Sequence, residues 1–198
     1  MLFHSGMGES GLRCTFRNFQ QLEDKTRARE IAMAWNYGPK GIVFYGPTGS
    51  GKTHLGCAIA NKMIRKGIYT RFLRSVEIPR ADQDRLAELV TDNIPLLVLD
   101  DIGAEKGTDR SLECLYFIVD GRAWNGLPTI YTTNYRQSDL QARLPGGYGE
   151  RVVSRLIGHC AWVPVGGEDM RLCRSTLSQN VASSSECCDR KDSEEQHS

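Results

Sequence analysis

Gly46-Pro-Thr-Gly-Ser-Gly-Lys-Thr53 is the stretch on which the reading of this chain turns. It satisfies Gly-x-x-x-x-Gly-Lys-[Ser/Thr], a pattern that carries a mechanism when a strand precedes it and a helix follows. Both flanks comply. Gly41-Ile-Val-Phe-Tyr45 is a short run of β-branched and aromatic residues, which predicts a buried strand. Leu55, Ala58, Ile59 and Met63 then keep helical spacing. A glycine-rich turn in this position wraps phosphates in backbone N–H groups, and the positive end of the helix adds to the pull on a polyanion. Gly46, Gly49 and Gly51 let the backbone bend sharply and approach the ligand, and Pro47, Thr48 and Ser50 complete the cradle. Lys52 is placed to reach the β- and γ-phosphates, and the Thr53 hydroxyl to ligate Mg²⁺. The ligand class is a nucleoside triphosphate.

Working outward, Thr15-Phe-Arg-Asn-Phe19 places two aromatics three apart, a spacing suited to anchoring the chain at a domain edge. Asp24 to Asn36 predicts a helix, stopped by Gly38-Pro39. Beyond the P-loop helix come a strand at Tyr69–Leu73, a helix at Asp82–Val90 and an apolar strand, Leu96-Leu-Val-Leu-Asp-Asp101. Asp109 is the expected cap of a long helix with Leu112, Leu115, Tyr116, Val119 and Ala123 on one stripe. Pro128–Thr133 predicts the next strand, Ser138–Arg143 and Glu150–Ile157 two further helices, and Cys160–Val165 a last strand whose Pro164 suits an edge. Strands alternating with helices imply an α/β fold, a mostly parallel sheet covered on both faces. Residues 1–14 are expected to be flexible or loosely attached. Residues 15–174 form the domain, and from 175 to 198 a Ser-, Glu-, Asp- and Cys-rich segment reads as a disordered acidic tail.

Composition excludes more than it selects. The 198 residues suit one domain, and the net charge of +1 favours no particular partner. Glu186–Ser198 carries a net −3, leaving +4 on the rest, a modest excess that suits nucleic acid but is equally ordinary solvated surface. Seven cysteines without a Cys-x-x-Cys pair give no metal-ligand spacing and no disulfide framework; Cys57, Cys114 and Cys160 fall in apolar patterns as small core residues. There is no signal-peptide pattern and no run of transmembrane length, so the expected location is cytoplasmic, with no membrane partner.

Four further positions can carry chemistry. Asp100 ends an apolar strand, where a P-loop protein holds its Mg²⁺-directed carboxylate; the alternative is a strand running out into solvent. Asp101 follows on the opposite side by alternation, where it could polarise a water for attack on the γ-phosphate. Asn134 closes the strand before it and faces the ligand crevice of an open sheet, or is simply a turn-former. Arg151 and Arg155, four apart, share a helix face opposite Val152, Val153, Leu156 and Ile157. They read as solvated surface or as an arginine offered to a neighbouring subunit's γ-phosphate. Arg171 is a cationic candidate for phosphate in the same subunit. His54, beside the P-loop, reads as structural.

Taken in order, Thr15–Phe19, Gly46–Thr53 with Leu55, Leu96-Leu-Val-Leu-Asp-Asp-Ile-Gly-Ala-Glu105, Thr129-Ile-Tyr-Thr-Thr-Asn134 and Gly149-Glu-Arg-Val-Val-Ser-Arg-Leu156 resemble the AAA+ ATPases of the DnaC/DnaI helicase-loader and IstB transposition-helper family. The resemblance runs from Thr15 to Arg171. It implies a three-layer P-loop fold with a five-stranded sheet and little or no helical lid, and a slow ATPase that uses ATP and Mg²⁺. It assigns Asp100 as the Walker B carboxylate, Asp101 as the catalytic acid, Asn134 as sensor 1, Arg155 as the trans-acting arginine finger and Arg171 as sensor 2. It implies a replicative helicase as partner, single-stranded DNA, and self-association in the ATP state. A transposase partner, or an adaptor with little hydrolysis, is the alternative. Fourteen residues precede Thr15, where family members carry a docking segment.

Overall fold

The computed structural model describes residues 5–19, 23–104 and 107–166. Its elements run α1 (Glu9–Leu12), α2 (Glu23–Ala34), β1 (Gly41–Tyr45), α3 (Lys52–Arg65), β2 (Thr70–Arg74), α4 (Gln83–Glu88), β3 (Leu96–Ile102), α5 (Asp109–Trp124), β4 (Thr129–Thr133), α6 (Gln137–Arg143), α7 (Tyr148–His159) and β5 (Cys160–Pro164). Between β2 and α4 lies a 3-10 segment, Ser75–Arg80, which the periodicity does not signal. Every expected strand and helix is present, with ends shifted by a few residues. Asp82 caps α4 rather than belonging to it, its carboxylate accepting from the Arg85 amide at 2.8 Å. Thr108, not Asp109, caps α5: its hydroxyl accepts from the Ser111 amide.

The five strands form one sheet in the order β2-β3-β4-β1-β5, each neighbouring pair parallel. β5 is an edge, as Pro164 requires, because proline has no N–H for a further partner. Alternation sorts the strand side chains between two cores. Ile42, Phe44, Leu96, Val98 and Ile130 pack with Leu55, Ile59 and Met63 of α3 and Ala28 and Ala32 of α2. On the other face Val43, Leu97, Leu99 and Tyr131 pack with Leu112, Leu115, Ile118 and Val119 of α5 and Val152, Val153 and Leu156 of α7. This is the three-layer arrangement of a parallel sheet buried on both sides. Among the described residues no helix is long and apolar enough to cross a membrane. The expected tail at 175–198, and any lid beyond β5, lie outside the described residues.

Two observations correct the sequence reading and a third adds to it. Residues 5–14 are not loosely attached. Met7 is buried in the α3 core, the Phe72 amide donates to the Ser5 carbonyl at 2.6 Å, and Asn61 Nδ2 reaches the carbonyls of Gly11, Leu12 and Cys14 at 2.9, 3.3 and 2.8 Å. Ile157 does not join the apolar face of α7; it is 52% exposed. Arg122, on a helix read for its apolar stripe, is fully buried. Its guanidinium donates to Thr129 Oγ1 (2.6 Å) and to the carbonyls of Leu89, Ile94, Pro95 and Pro128, so one cation ties together the loops leading into β3 and β4. Burial pulls its pKa down to about 10, which leaves it charged at neutral pH.

Candidate nucleotide-binding site

The site lies at the carboxyl ends of β1, β3 and β4, where an open α/β sheet exposes its crevice. Gly46 leaves β1 with φ +148, and a Cβ there would stand 2.2 Å from the Val165 carbonyl oxygen; no side chain fits. Gly51 precedes α3 at φ +101, and no side chain caps the helix, whose first turn carries no acidic residue. With no side-chain cap and no acid in the first turn, nothing offsets the positive end of α3, the condition that favours an anion there. The Lys52 ammonium donates to the carbonyls of Gly46 and Pro47 at 2.9 and 2.7 Å, which holds it against the loop.

Asp100 points by alternation toward α3 and meets it. Thr53 Oγ1 donates to Asp100 Oδ1 at 2.8 Å, and Thr132 Oγ1 donates to the same oxygen at 2.6 Å. Burial raises the Asp100 pKa above the usual carboxylate value, and the two hydroxyl donors, Thr132 before Thr53, pull it partly back.

Asp101 reaches the cleft by a different route from the one alternation suggests. Leu99 pairs with Tyr131 and Ile102 with Thr133, so Asp100 and Asp101 together oppose Thr132: a β-bulge. Asp101 takes φ +60, the one positive φ outside glycine among the described residues. Left-handed backbone costs about 1 kcal/mol or more outside glycine, and least for Asn and Asp. The bulge re-aims a side chain that would otherwise enter the α5 core. Its backbone is pinned: the Asp101 amide donates to Thr132 Oγ1 (2.8 Å), and its carbonyl accepts from Ser75 Oγ (2.7 Å) and the Ala104 amide (3.2 Å). Asn134 Nδ2 donates to Asp101 Oδ1 at 3.0 Å.

An open cleft of about 330 Å³ is lined by Gly49, Gly51, Lys52, Thr53, Asp100, Asp101, Thr132 and Asn134 among others. The structure thus brings together the P-loop, both acids and Asn134, as the sequence reading required. Arg155 does not line this cleft; it sits on α7 with Arg151. Arg171 lies outside the described residues. His54 lines the cleft but bonds the Thr15 carbonyl through Nε2 (2.9 Å) and meets the Phe19 ring edge-on, a structural role. Thr132 went unrecognised in the sequence. Its signal was slight: a threonine at the end of an apolar strand, two residues before Asn134.

The family model described as IstB-like ATP binding protein matches residues 13–178. The chain belongs to that family. Within reach of this IstB-like protein is the replicative helicase loader DnaC of Escherichia coli strain K12, 28% identical over 174 residues, 80% of this chain and 69% of DnaC. A putative ATP-binding protein in an insertion sequence of Mycobacterium tuberculosis is 26% identical over 148 residues, 71% of this chain and 59% of that protein. A crystal structure of the DnaC helicase loader superposes with a TM-score of 0.68 at 27% identity, covering 80% of this chain and 100% of that one. The IstB-like chain is an ATP-binding AAA+ ATPase with the P-loop fold of these proteins.

Proposed function

We propose that the chain is an ATP-driven assembly switch of DNA replication, a helicase loader in kind, working in the cytoplasm. The observation that carries this reading is the single hydrogen-bonded set Thr53–Asp100–Thr132–Asp101–Asn134 facing Lys52 across one cleft. The likeness to DnaC supplies the partner.

The residues fit Mg²⁺: Thr53 Oγ1 and Asp100 are hard oxygen donors side by side, and the described residues hold no cluster of three or more ligating side chains that would favour a softer or fully protein-bound metal. When bound, Mg²⁺ would supply positive charge that offsets the charge developing on the phosphates. Thr53 would ligate it directly, with Asp100 oriented by Thr132 behind. Lys52 exchanges the two loop carbonyls for β- and γ-phosphate oxygens, a stronger acceptor for an ammonium. Asp101 accepts the proton of the attacking water, and Asn134, bonded to Asp101, fixes where that water sits. Arg155, absent from its own cleft, acts on the triphosphate of a second copy, and Arg171 contacts phosphate in its own subunit. ATP favours the assembled state only to the extent that it binds better there. In that state the subunits hold single-stranded DNA and a replicative helicase, and hydrolysis releases them.

The family's IstB description and the mycobacterial insertion-sequence relative favour a second reading, a transposition helper whose partner is a transposase. One binding experiment tests both. Asp101→Asn protein keeps the left-handed backbone, since Asn tolerates it, and should bind ATP while losing at least about 10²-fold in hydrolysis. Loaded with ATP and Mg²⁺, it is presented to the replicative helicase and, separately, to an insertion-element transposase. ATP-dependent capture of the helicase supports loading, capture of the transposase supports the second reading, and capture of neither overturns both.

A further inference from the structure

α5 and α7 pack side by side through Val119, Val152 and Leu156, and the rings of Tyr116 and Tyr148 meet at 6.0 Å between centroids. At the solvent rim of this contact Arg155 Nε lies 2.6 Å from Asp120 Oδ1. Unlike Arg13–Glu9 and Arg74–Glu77, each formed within about one helical turn of sequence, this ion pair joins two helices. Its side chains are 44% and 32% exposed, so it is of the solvent-screened kind that contributes little to stability. Its geometry is more informative than its strength. The carboxylate sits against Nε, the nitrogen at the neck of the guanidinium, in a charge contact and not an aligned hydrogen bond, for Asp120 Oδ1 has no hydrogen-bond partner among the described residues. That leaves the two terminal nitrogens, the fork that grips a phosphate through parallel hydrogen bonds.

We propose that Asp120 is a positioning residue: it holds Arg155 by the neck against α7, so that the terminal nitrogens are presented in a fixed direction to the triphosphate of a second copy of the chain. The inference rests on the reading of Arg155 as a trans-acting arginine. A free arginine side chain samples many rotamers, and each must be frozen out when it engages phosphate. Asp120 meets that cost in advance, on helices already locked together by their apolar faces. The Asp–Arg pair is net neutral, so Asp120 adds no attraction for ATP. Its effect falls on kcat, through orientation, and not on the KM for ATP. A misplacement of about 1 Å in a catalytic group can cost about 10²-fold in rate.

Subunit mixing tests this. Asp101→Asn protomers bind ATP but do not hydrolyse it, and Arg155→Ala protomers keep a complete cleft but offer no guanidinium. Mixed, they should regain ATPase activity at interfaces where the first kind serves the second. Asp120→Ala placed in the Asp101→Asn protomer should lower that regained kcat by about 10- to 100-fold with KM within about twofold. Asp120→Glu, which keeps a negative charge beside Nε, should recover part of the loss, and Asp120→Asn, which removes the charge, should not. Beside Arg155→Ala, where no guanidinium remains to hold, Asp120→Ala should add nothing. A loss of equal size in either protomer would mean general damage to the α5–α7 contact and would overturn the proposal. So would a gain in rate, which would make Asp120 a restraint. Failure of the two parent variants to complement at all would refute the trans-acting arginine itself, and the role of Asp120 with it.

Discussion

Thr132→Val removes one oxygen and leaves nearly the same shape, which makes Thr132 the sharpest probe of the cleft. That oxygen donates to Asp100 at 2.6 Å and accepts from the Asp101 amide at 2.8 Å. The residue is 1% exposed, so water cannot replace either bond. Leaving the buried amide of a bulge without an acceptor costs about 1–3 kcal/mol, and a bond to a carboxylate contributes about 1.5–3 kcal/mol. Asp100 retains Thr53 as a donor, which offsets part of the second loss. The expected destabilisation is therefore about 3 kcal/mol. At about 2–4 °C per kcal/mol for a domain of this size, Tm should fall by about 6–12 °C. Thr132→Ser keeps the oxygen and loses only a methyl group, which should cost about 1 kcal/mol. Urea unfolding of the two variants gives the difference directly. kcat, measured well below Tm, should fall about 10- to 100-fold in Thr132→Val and little in Thr132→Ser, because only the first unties the Asp100 carboxylate and the Asp101 backbone from their shared hydroxyl. If the valine variant unfolds within about 1 °C of the serine variant and hydrolyses ATP equally well, the bulge is held by something other than this hydroxyl.

The remaining expectations concern other parts of the molecule. Arg122→Met fills the space without donors and strands several buried carbonyls, so urea unfolding should show a loss of about 3–4 kcal/mol while kcat per folded molecule stays unchanged. Asn61→Leu should release residues 5–14 from α3, seen as faster tryptic cleavage at Arg13 and faster amide exchange there, with a stability loss of about 1.5–3 kcal/mol. Asp100 has a raised native pKa, so its contribution to stability is full below the ordinary carboxylate value of about 3.9 and is lost as pH rises through the native value. Activity needs the carboxylate and moves the other way, falling as pH drops through that same native value. Asp100→Asn should flatten this part of the Tm–pH profile, and Thr132→Val, which removes a pKa-lowering donor, should move the acidic limb of the kcat profile to higher pH.

Much of the fold was legible because alternating apolar strands and a motif with fixed letters are local signals. Gly46–Thr53 declared the loop, and each strand from Gly41 to Pro164 declared itself by composition. The two acids and Asn134 were found because each ends a strand, and strand ends converge on one crevice. What escaped was non-local. The bulge at Asp100–Asp101 depends on which residue of β4 lies opposite, and Thr132 acquires its role only through that register. Arg122 looks like any surface cation on a helix until Leu89, Ile94, Pro95 and Pro128 turn their carbonyls toward it. The docking of residues 5–14 rests on Asn61, an unremarkable polar residue in a helix pattern. Asp120 likewise has no meaning in the sequence before α5 and α7 are placed side by side.

The strand order has a consequence for how the chain comes to be made. β1, which carries the P-loop, lies between β4 and β5, the last two strands among the described residues, and Gly46 itself donates to the Thr133 carbonyl while Tyr45 accepts from Val165. A ribosome therefore releases the phosphate cradle early, but every strand that can pin it emerges late, and long loops must close before those pairings form. An incomplete chain can build the β2–β3 pair and still be unable to grip a triphosphate. Nucleotide competence therefore waits until the chain has been made as far as Val165, about 120 residues after the loop it completes has emerged.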